Sequence, residues 1–204
     1  DGVINYDSDA YIKSPDEWRP LPGSPEAIAR LNNAGYRIAV VTNQSGIARG
    51  LFDLSTLAAI HAKMHAVVAQ AGGRIDAVFF CPHGPDNGCD CRKPKPGLFI
   101  EALNRFGAQA AETWAIGDQV RDLQAAHAAG CRKVLVLTGK GQATMQHGEL
   151  PPGTIVRVDL AAVAAEERQW LESAEEEANH MKKLIENMLF LAKSDAGTAK
   201  VQLC

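Results

Sequence analysis

The sequence lacks an apolar run long enough to cross a bilayer, since its longest runs fall far short of the ~20 residues that a membrane helix needs. It also lacks a large excess of either charge. Among its 204 residues, 21 Lys and Arg oppose 24 Asp and Glu, which leaves a formal net charge of −3. Such a balance gives no general attraction to nucleic acid or to an anionic membrane. We therefore expect neither as a partner.

Cysteines are too few for a disulfide framework. The chain has five, an odd number, and three of them lie within residues 81–91 beside a histidine. That grouping indicates metal binding in a reducing compartment rather than disulfide pairing. No signal peptide is visible, and we expect a cytoplasmic protein.

Short apolar runs alternate with amphipathic segments along most of the chain. The segments predict helices at 24–35, 55–71, 97–107 and 120–130, and the runs predict strands at 36–42, 76–81, 113–118, 133–139 and 154–158. Apolar runs without polar alternation are typical of buried parallel strands. The predicted fold class is α/β, a doubly wound parallel sheet with helices on both faces, in which ligands bind at the carboxyl ends of the strands. Ser24 is expected to cap the first helix and Gly35 to end it.

The composition changes near residue 161, because no Gly or Pro occurs from there to Ser194. Apolar residues in this stretch recur at alternating spacings of three and four, at Leu171, Ala174, Ala178, Met181, Ile185, Met188 and Ala192. The spacing predicts a long C-terminal helix, either a coiled coil or an amphipathic helix that lies on the sheet. We therefore divide the chain into a core of residues 1–160 and a helical tail of residues 161–204, which is a candidate for homodimerisation.

A cysteine-rich loop follows the second predicted strand. It contains a Cys81-x-His83 pair and a Cys89-x-Cys91 pair, separated by residues that include glycine and proline. Three thiolates and one imidazole complete a tetrahedral shell that suits Zn²⁺. Four protein ligands leave no position for water, so such a zinc would be structural. The alternative is a loop with three free cysteines.

Two other groups of polar residues stand where they could bind an anion. Arg92 and Lys93 follow the cysteine loop directly, and both cations suit phosphate. Thr42 ends a predicted strand, and residues 43–45 after it can offer further donors. The alternatives are a solvated basic pair and a simple turn between strand and helix.

Acidic residues occur at two further points. Asp118 follows an apolar strand and Asp122 lies one helical turn later. A carboxylate at a strand end is a natural Mg²⁺ ligand, although Asp also caps helices. The chain opens with Asp1-Gly-Val-Ile-Asn, which taken alone would be a turn.

Taken together, these four groups of polar residues resemble the motifs of the haloacid dehalogenase phosphatase superfamily. The matching residues, in the superfamily's order, are Asp1, Thr42, Lys93, and Asp118 with Asp122. The zinc loop just before Lys93 narrows the resemblance to the branch whose members dephosphorylate heptose bisphosphate or histidinol phosphate. Ser45 after Gln44 favours the heptose substrate.

The resemblance implies a Mg²⁺-dependent phosphatase that works through an aspartyl-phosphate. Asp1 matches the second aspartate of the first motif, the general acid and base. The nucleophile would stand two positions upstream, so we expect the first strand of the core to be missing and this chain to be inactive. Thr42 would hydrogen-bond the transferring phosphoryl group and Lys93 would neutralise its charge. Mg²⁺ would bind Asp118, the backbone carbonyl of Asp1 and the nucleophile.

The resemblance also implies contacts to a small phosphorylated sugar. The residues expected to make them are Asn43, Gln44, Ser45, Arg92, Asp7, Ser8 and Tyr11, and Gln119 stands where some relatives carry a Lys. In the tail, residues 180–197 resemble the second dimerisation helix of sensor histidine kinases, which indicates a fused fragment. A catalytically dead, zinc-braced phosphosugar-binding domain that dimerises through its tail is the alternative function.

Overall fold

The computed structural model describes residues 1–165, and these form an α/β fold. The predicted tail helix and its dimerisation fall on residues outside this range, apart from a helical segment at 160–165. The strands are β1 (Ala39–Asn43), β2 (Ala77–Cys81), β3 (Trp114–Gly117), β4 (Arg132–Val136) and β5 (Thr154–Arg157). The α-helices are α1 (Ser24–Asn33), α2 (Leu54–Gln70), α3 (Gly97–Phe106), α4 (Val120–Ala128) and α5 (Gly141–His147).

All strand pairs are parallel, and they form two hydrogen-bonded groups. β1 pairs with β2, while β4 lies between β3 and β5. Within residues 1–165, β1 and β3 are not hydrogen-bonded to each other, and no other strand lies between them. A cleft of about 230 Å³ lies there, lined by Ala39–Asn43 on one side and Trp114–Gly117 on the other. The single sheet predicted from the sequence is thus present as two parts that face each other across this cleft.

The helices cover both faces of the strands, as predicted. On one face, α1 and α2 bury Ile28, Met64 and Val68 together with Val134 and Val136 of β4. On the other face, α3 and α4 pack against β2 and β3 in two smaller clusters. Burying a large apolar side chain stabilises the fold by about 1.5–3 kcal/mol, so the apolar runs explain why these strands form where they were predicted.

The start of α1 corrects one sequence prediction. Ser24 is the first helical residue and not the cap, because Gly23 takes the cap position with a φ of 77°. The buried Ser24 hydroxyl instead donates to the carbonyl of Val3 at 2.9 Å. This bond ties the N-terminal segment to the helix. Helix α5 was not predicted at all, since it is short and begins at a glycine.

No helix within the described residues is long and apolar enough to span a membrane. This agrees with the short apolar runs of the sequence.

Hydrogen exchange should distinguish the strands by their number of neighbours. β4 pairs on both sides, whereas β1 and β3 pair with one strand each within residues 1–165. Amides of β4 should therefore exchange at least about tenfold more slowly than those of β1 and β3, since local opening is easiest at elements with few contacts. β5, which also pairs on one side, is the internal control. Equally slow exchange in β1, β3 and β4 would contradict an open cleft.

Candidate active site

The carboxyl ends of β1 and β3 bring most of the predicted chemical residues to one end of the cleft. Those that line it are Asp1, Asp7, Thr42, Asn43, Lys93, Asp118, Gln119 and Asp122. The gathering follows from the parallel strands, whose carboxyl ends lie at the same edge. Four residues predicted to contribute to catalysis or Mg²⁺ binding, Asp1, Thr42, Lys93 and Asp118, thus share one cavity.

Lys93 is held rigidly at this edge. Its ammonium lies 2.7 Å from the carboxylate of Asp122 and donates to the carbonyl of Val41 at 2.8 Å. Its backbone makes two bonds with the side chain of Asn43, one in each direction and each 3.1 Å long. Both members of the ion pair are 12% exposed. The lysine therefore presents a positive charge whose position is fixed from two sides.

Asp122 owes its ionisation to this pair. Burial by itself would raise its pKa, but the charge of Lys93 and its hydrogen bond outweigh that effect and lower the pKa below its usual value. The other carboxylate oxygen accepts from the backbone amide of Gln119 at 3.1 Å. From the sequence, Asp122 was predicted as part of a motif but without a role of its own.

The pKa of Asp118 is shifted in the opposite direction. This residue is only 2% exposed, and burial raises the pKa of its carboxyl, as do the charges of Asp122 and Asp7. The backbone amide of Lys140 donates to it at 2.9 Å. Gly2 and Gly139, both at positive φ, pack so closely that a Cβ on either would collide with the carboxyl group. Because both positions are glycine, the carboxyl group of Asp118 fits at the end of β3.

The donor set fits Mg²⁺. Asp1 and Asp118 offer oxygen ligands, which this hard cation prefers, and both line the cleft. The carboxylate of Asp1 is oriented by a 2.8 Å bond from the amide of the buried Asn5. A divalent cation would also relieve the unfavourable burial of negative charge at Asp118.

The four predicted zinc ligands come together in the loop after β2. The ligand atoms of Cys81, His83, Cys89 and Cys91 all lie within 4.8 Å of one another. Closest are the sulfurs of Cys81 and Cys91 at 3.1 Å, and the Nδ1 of His83 lies 3.3 Å from the latter. Zn–S bonds of about 2.3 Å in a tetrahedron place sulfurs roughly 3.8 Å apart. The cluster is therefore close to the size of a zinc shell.

The residues predicted to contact the sugar divide into two groups. Asp7 and Asn43 line the cleft, but both polar groups of the Asn43 side chain are used on Lys93. The others, namely Gln44, Ser45, Arg92, Ser8 and Tyr11, are not among the lining residues. Gln44 donates to the hydroxyl of Thr42, Arg92 donates to the carbonyl of His83, and Ser45 is buried. Their predicted roles at the sugar remain predictions.

Comparison with known proteins adds to this geometry. A profile of the HAD-hydrolase-like family matches residues 90–163, which include Lys93 and Asp118. A D-glycero-beta-D-manno-heptose-1,7-bisphosphate 7-phosphatase from Bordetella bronchiseptica is 58% identical over 164 residues, 80% of this chain and 92% of that protein. The enzyme of the same name from Pseudomonas aeruginosa is 54% identical over 165 residues, 81% of this chain and 92% of that protein. The chain belongs to this phosphatase family.

Two solved structures support the membership. The D,D-heptose 1,7-bisphosphate phosphatase from B. bronchiseptica, complexed with magnesium and phosphate, superposes with a TM-score of 0.81 at 57% identity over 83% of this chain and 94% of that one. The enzyme from Burkholderia thailandensis gives a TM-score of 0.66 at 52% identity, over 81% and 92% of the two chains. The predicted α/β class and the haloacid dehalogenase resemblance are both confirmed.

The two acidic residues should respond oppositely to the same substitution. Asp122→Asn removes one partner of a buried ion pair, which costs about 3–5 kcal/mol of unfolding free energy. Asp118→Asn removes a charge that burial disfavours, so it should raise stability at neutral pH. Urea denaturation at pH 7 without added Mg²⁺ measures both. Glu17→Gln, in the exposed Lys13–Glu17 pair, is the control and should change stability by under about 1 kcal/mol.

The pH dependence of the two variants separates them further. A lowered pKa means that Asp122 stabilises the fold above its ordinary pKa of ~3.9 and loses that effect as pH falls through the folded value. A raised pKa means that the penalty at Asp118 disappears as pH falls through its folded value. Both variants should therefore converge on the wild type in acid, Asp118→Asn at a higher pH than Asp122→Asn, because the pKa of Asp118 is raised and that of Asp122 is lowered. A stabilising Asp122→Asn would show that the ion pair has been assigned wrongly.

Proposed function

We propose that this chain forms the core of a phosphatase that removes the 7-phosphate from D-glycero-D-manno-heptose 1,7-bisphosphate. The observation that carries the proposal is the shared cleft of Asp1, Thr42, Lys93 and Asp118, in a chain whose relatives bear this activity in their names. No observation favours histidinol phosphate over the heptose substrate. A cytoplasmic location remains a prediction.

Lys93, Thr42 and Mg²⁺ would each contact the phosphate in a different way. Lys93, fixed by Asp122 and Val41, would attract the phosphoryl oxygens without having to be reoriented, which is the requirement for electrostatic stabilisation of a transition state. The hydroxyl of Thr42 would donate a hydrogen bond to the same group. Mg²⁺, held by the carboxylate of Asp118 and the backbone carbonyl of Asp1, would supply further positive charge for the phosphoryl oxygens.

Asp1 would act as the general acid and then as the general base. Its carboxyl group would protonate the sugar oxygen as the bond to phosphorus breaks, and its carboxylate would then deprotonate the attacking water. The bond from Asn5 holds the carboxylate in place for both steps. By the family resemblance, the nucleophile would be an aspartate two positions upstream of Asp1.

Phosphate release tests this assignment. The 204-residue chain should be inactive, whereas a longer chain with the upstream residues of its gene should hydrolyse heptose 1,7-bisphosphate in the presence of Mg²⁺. In the longer chain, Lys93→Ala and Asp118→Asn should each lower kcat by about 100-fold or more, the usual loss when a transition-state contact is removed. Lys95→Ala, in an exposed pair with Asp90, is the control and should keep its turnover.

Three outcomes would overturn parts of the proposal. Full activity in the 204-residue chain would mean that Asp1 is not the acid and base. A higher kcat/KM for histidinol phosphate would change the substrate. Phosphosugar binding with no turnover in the longer chain would favour the binding-domain alternative.

We also propose that Cys81, His83, Cys89 and Cys91 bind one structural Zn²⁺. Four protein ligands close the shell, so the ion would have no open position for chemistry. Its role would be mechanical, since Arg92 and Lys93 follow the last ligand directly. The 3.2 Å bond from Arg92 to the carbonyl of His83 closes the loop on itself.

Elemental analysis tests the zinc site. Protein purified without chelator should contain about one Zn²⁺ per chain. Cys89→Ser should lose the metal and melt at a lower temperature, because metal binding contributes directly to folding stability. Cys131→Ser is the control, since this cysteine is buried in a different cluster and its loss should leave the zinc content unchanged. Zinc retained in Cys89→Ser would mean that the ligand set is wrong.

A further inference from the structure

A short loop, residues 7–11, begins at the cleft with Asp7 and contains one residue in a strained conformation. Tyr11 has a φ of 65°, and it is the only residue other than glycine with a positive φ within residues 1–165. This conformation is unfavourable for a bulky side chain and persists only where surrounding contacts impose it. Turn bonds inside the loop, from Tyr11 to the carbonyl of Ser8 and from Ser8 to the carboxylate of Asp7, shape it locally.

The contact that anchors this loop to the rest of the site comes from far along the chain. The ammonium of Lys140 lies 2.5 Å from the carboxylate of Asp9 and 3.6 Å from that of Asp7. Asp7 lines the cleft and its side chain is only 18% exposed. The pair to Asp9 is more open to solvent, with side chains 45% and 88% exposed. The side chain of Lys140 therefore connects the segment after β4 with the loop before α1.

The same residue contacts the catalytic carboxylate through its backbone. The amide of Lys140 donates to Asp118, and the hydroxyl of the nearby Thr138 donates to the carbonyl of Gly2. The loop at 138–140 thus joins Asp118, the segment after Asp1, and the loop at 7–11. Because the bond to Asp118 uses the main chain, a substitution at Lys140 removes only the contacts to the 7–11 loop.

We propose that Lys140 is a positioning residue that anchors the 7–11 loop beside the cleft, which Asp7 lines, and that screens the charges of Asp7 and Asp9. Without it, the carboxylate of Asp7 would face an approaching phosphate ester with its charge unscreened, and the strained loop would lose its anchor. The role at the substrate rests on the proposed function, whereas the anchoring of the loop does not. Lys140 acts through its neighbours and has no assigned step in the chemistry.

Limited proteolysis tests the anchoring in the 204-residue chain. Trypsin can cut after Lys13, just beyond the loop, and mass spectrometry follows that one bond. Lys140→Gln should speed this cleavage about fivefold, and Lys140→Arg should restore the wild-type rate. Added salt should speed cleavage of the wild type but not of Lys140→Gln, because exposed ion pairs are screened. Lys95→Gln, from a pair of similar exposure, is the control and should leave the rate of cleavage after Lys13 unchanged.

Kinetics test the role at the substrate in the longer, active chain. Lys140→Gln should raise KM for heptose 1,7-bisphosphate about fivefold and change kcat by less than about twofold, with rescue by Lys140→Arg. Unchanged cleavage at Lys13 in Lys140→Gln would overturn the anchoring. Faster cleavage with an unchanged KM would overturn the role at the substrate. If no variant, including the wild type, releases phosphate, the proposed function fails while proteolysis still decides the anchoring.

Discussion

The site depends on a buried ion pair between two elements that are distant in the sequence. Lys93 comes from the loop after β2 and Asp122 from the first turn of α4, and their charged atoms lie 2.7 Å apart. Charges that are largely removed from water must be paired and hydrogen-bonded, or they destabilise the fold by several kcal/mol. The pair therefore fixes the distance between the two halves of the site. Val41 and Asn43 of β1 then orient the lysine within it.

The cysteine loop fits this requirement. Segment 82–96 contains little regular structure, yet it must deliver Lys93 to a fixed position. Beneath it lies a small apolar cluster of Phe79, Cys81 and Leu98, which Cys89 and Cys91 extend. So small a cluster buries little apolar area, and small cores commonly depend on a metal for stability. A zinc ion bound by residues of the cluster itself would stiffen the loop where Lys93 begins.

The sequence was informative wherever a local pattern decides the structure. Apolar runs located the five strands within a few residues, and the paired cysteine spacing identified the four residues, Cys81, His83, Cys89 and Cys91, that the fold brings together. It was uninformative where a long-range contact decides. The family resemblance places Asn43 at the sugar, and no local pattern indicated that its side chain bonds the backbone of Lys93, 50 residues away. Lys140 gave no local signal, since its partners lie 131 or more residues earlier in the chain.

The hydrogen bonds of Lys93 are compatible with both its structural role and the catalytic role that we propose for it. An ammonium group has three donors. Within residues 1–165, Asp122 takes one and the carbonyl of Val41 takes another. The third would be available to a phosphoryl oxygen, and its use would break neither of the other two bonds. Because both bonds form in the folded chain before any substrate binds, the cost of orienting the charge is met during folding. In the proposed function, the ion pair that holds Lys93 in place would therefore also prepare it to bind phosphate.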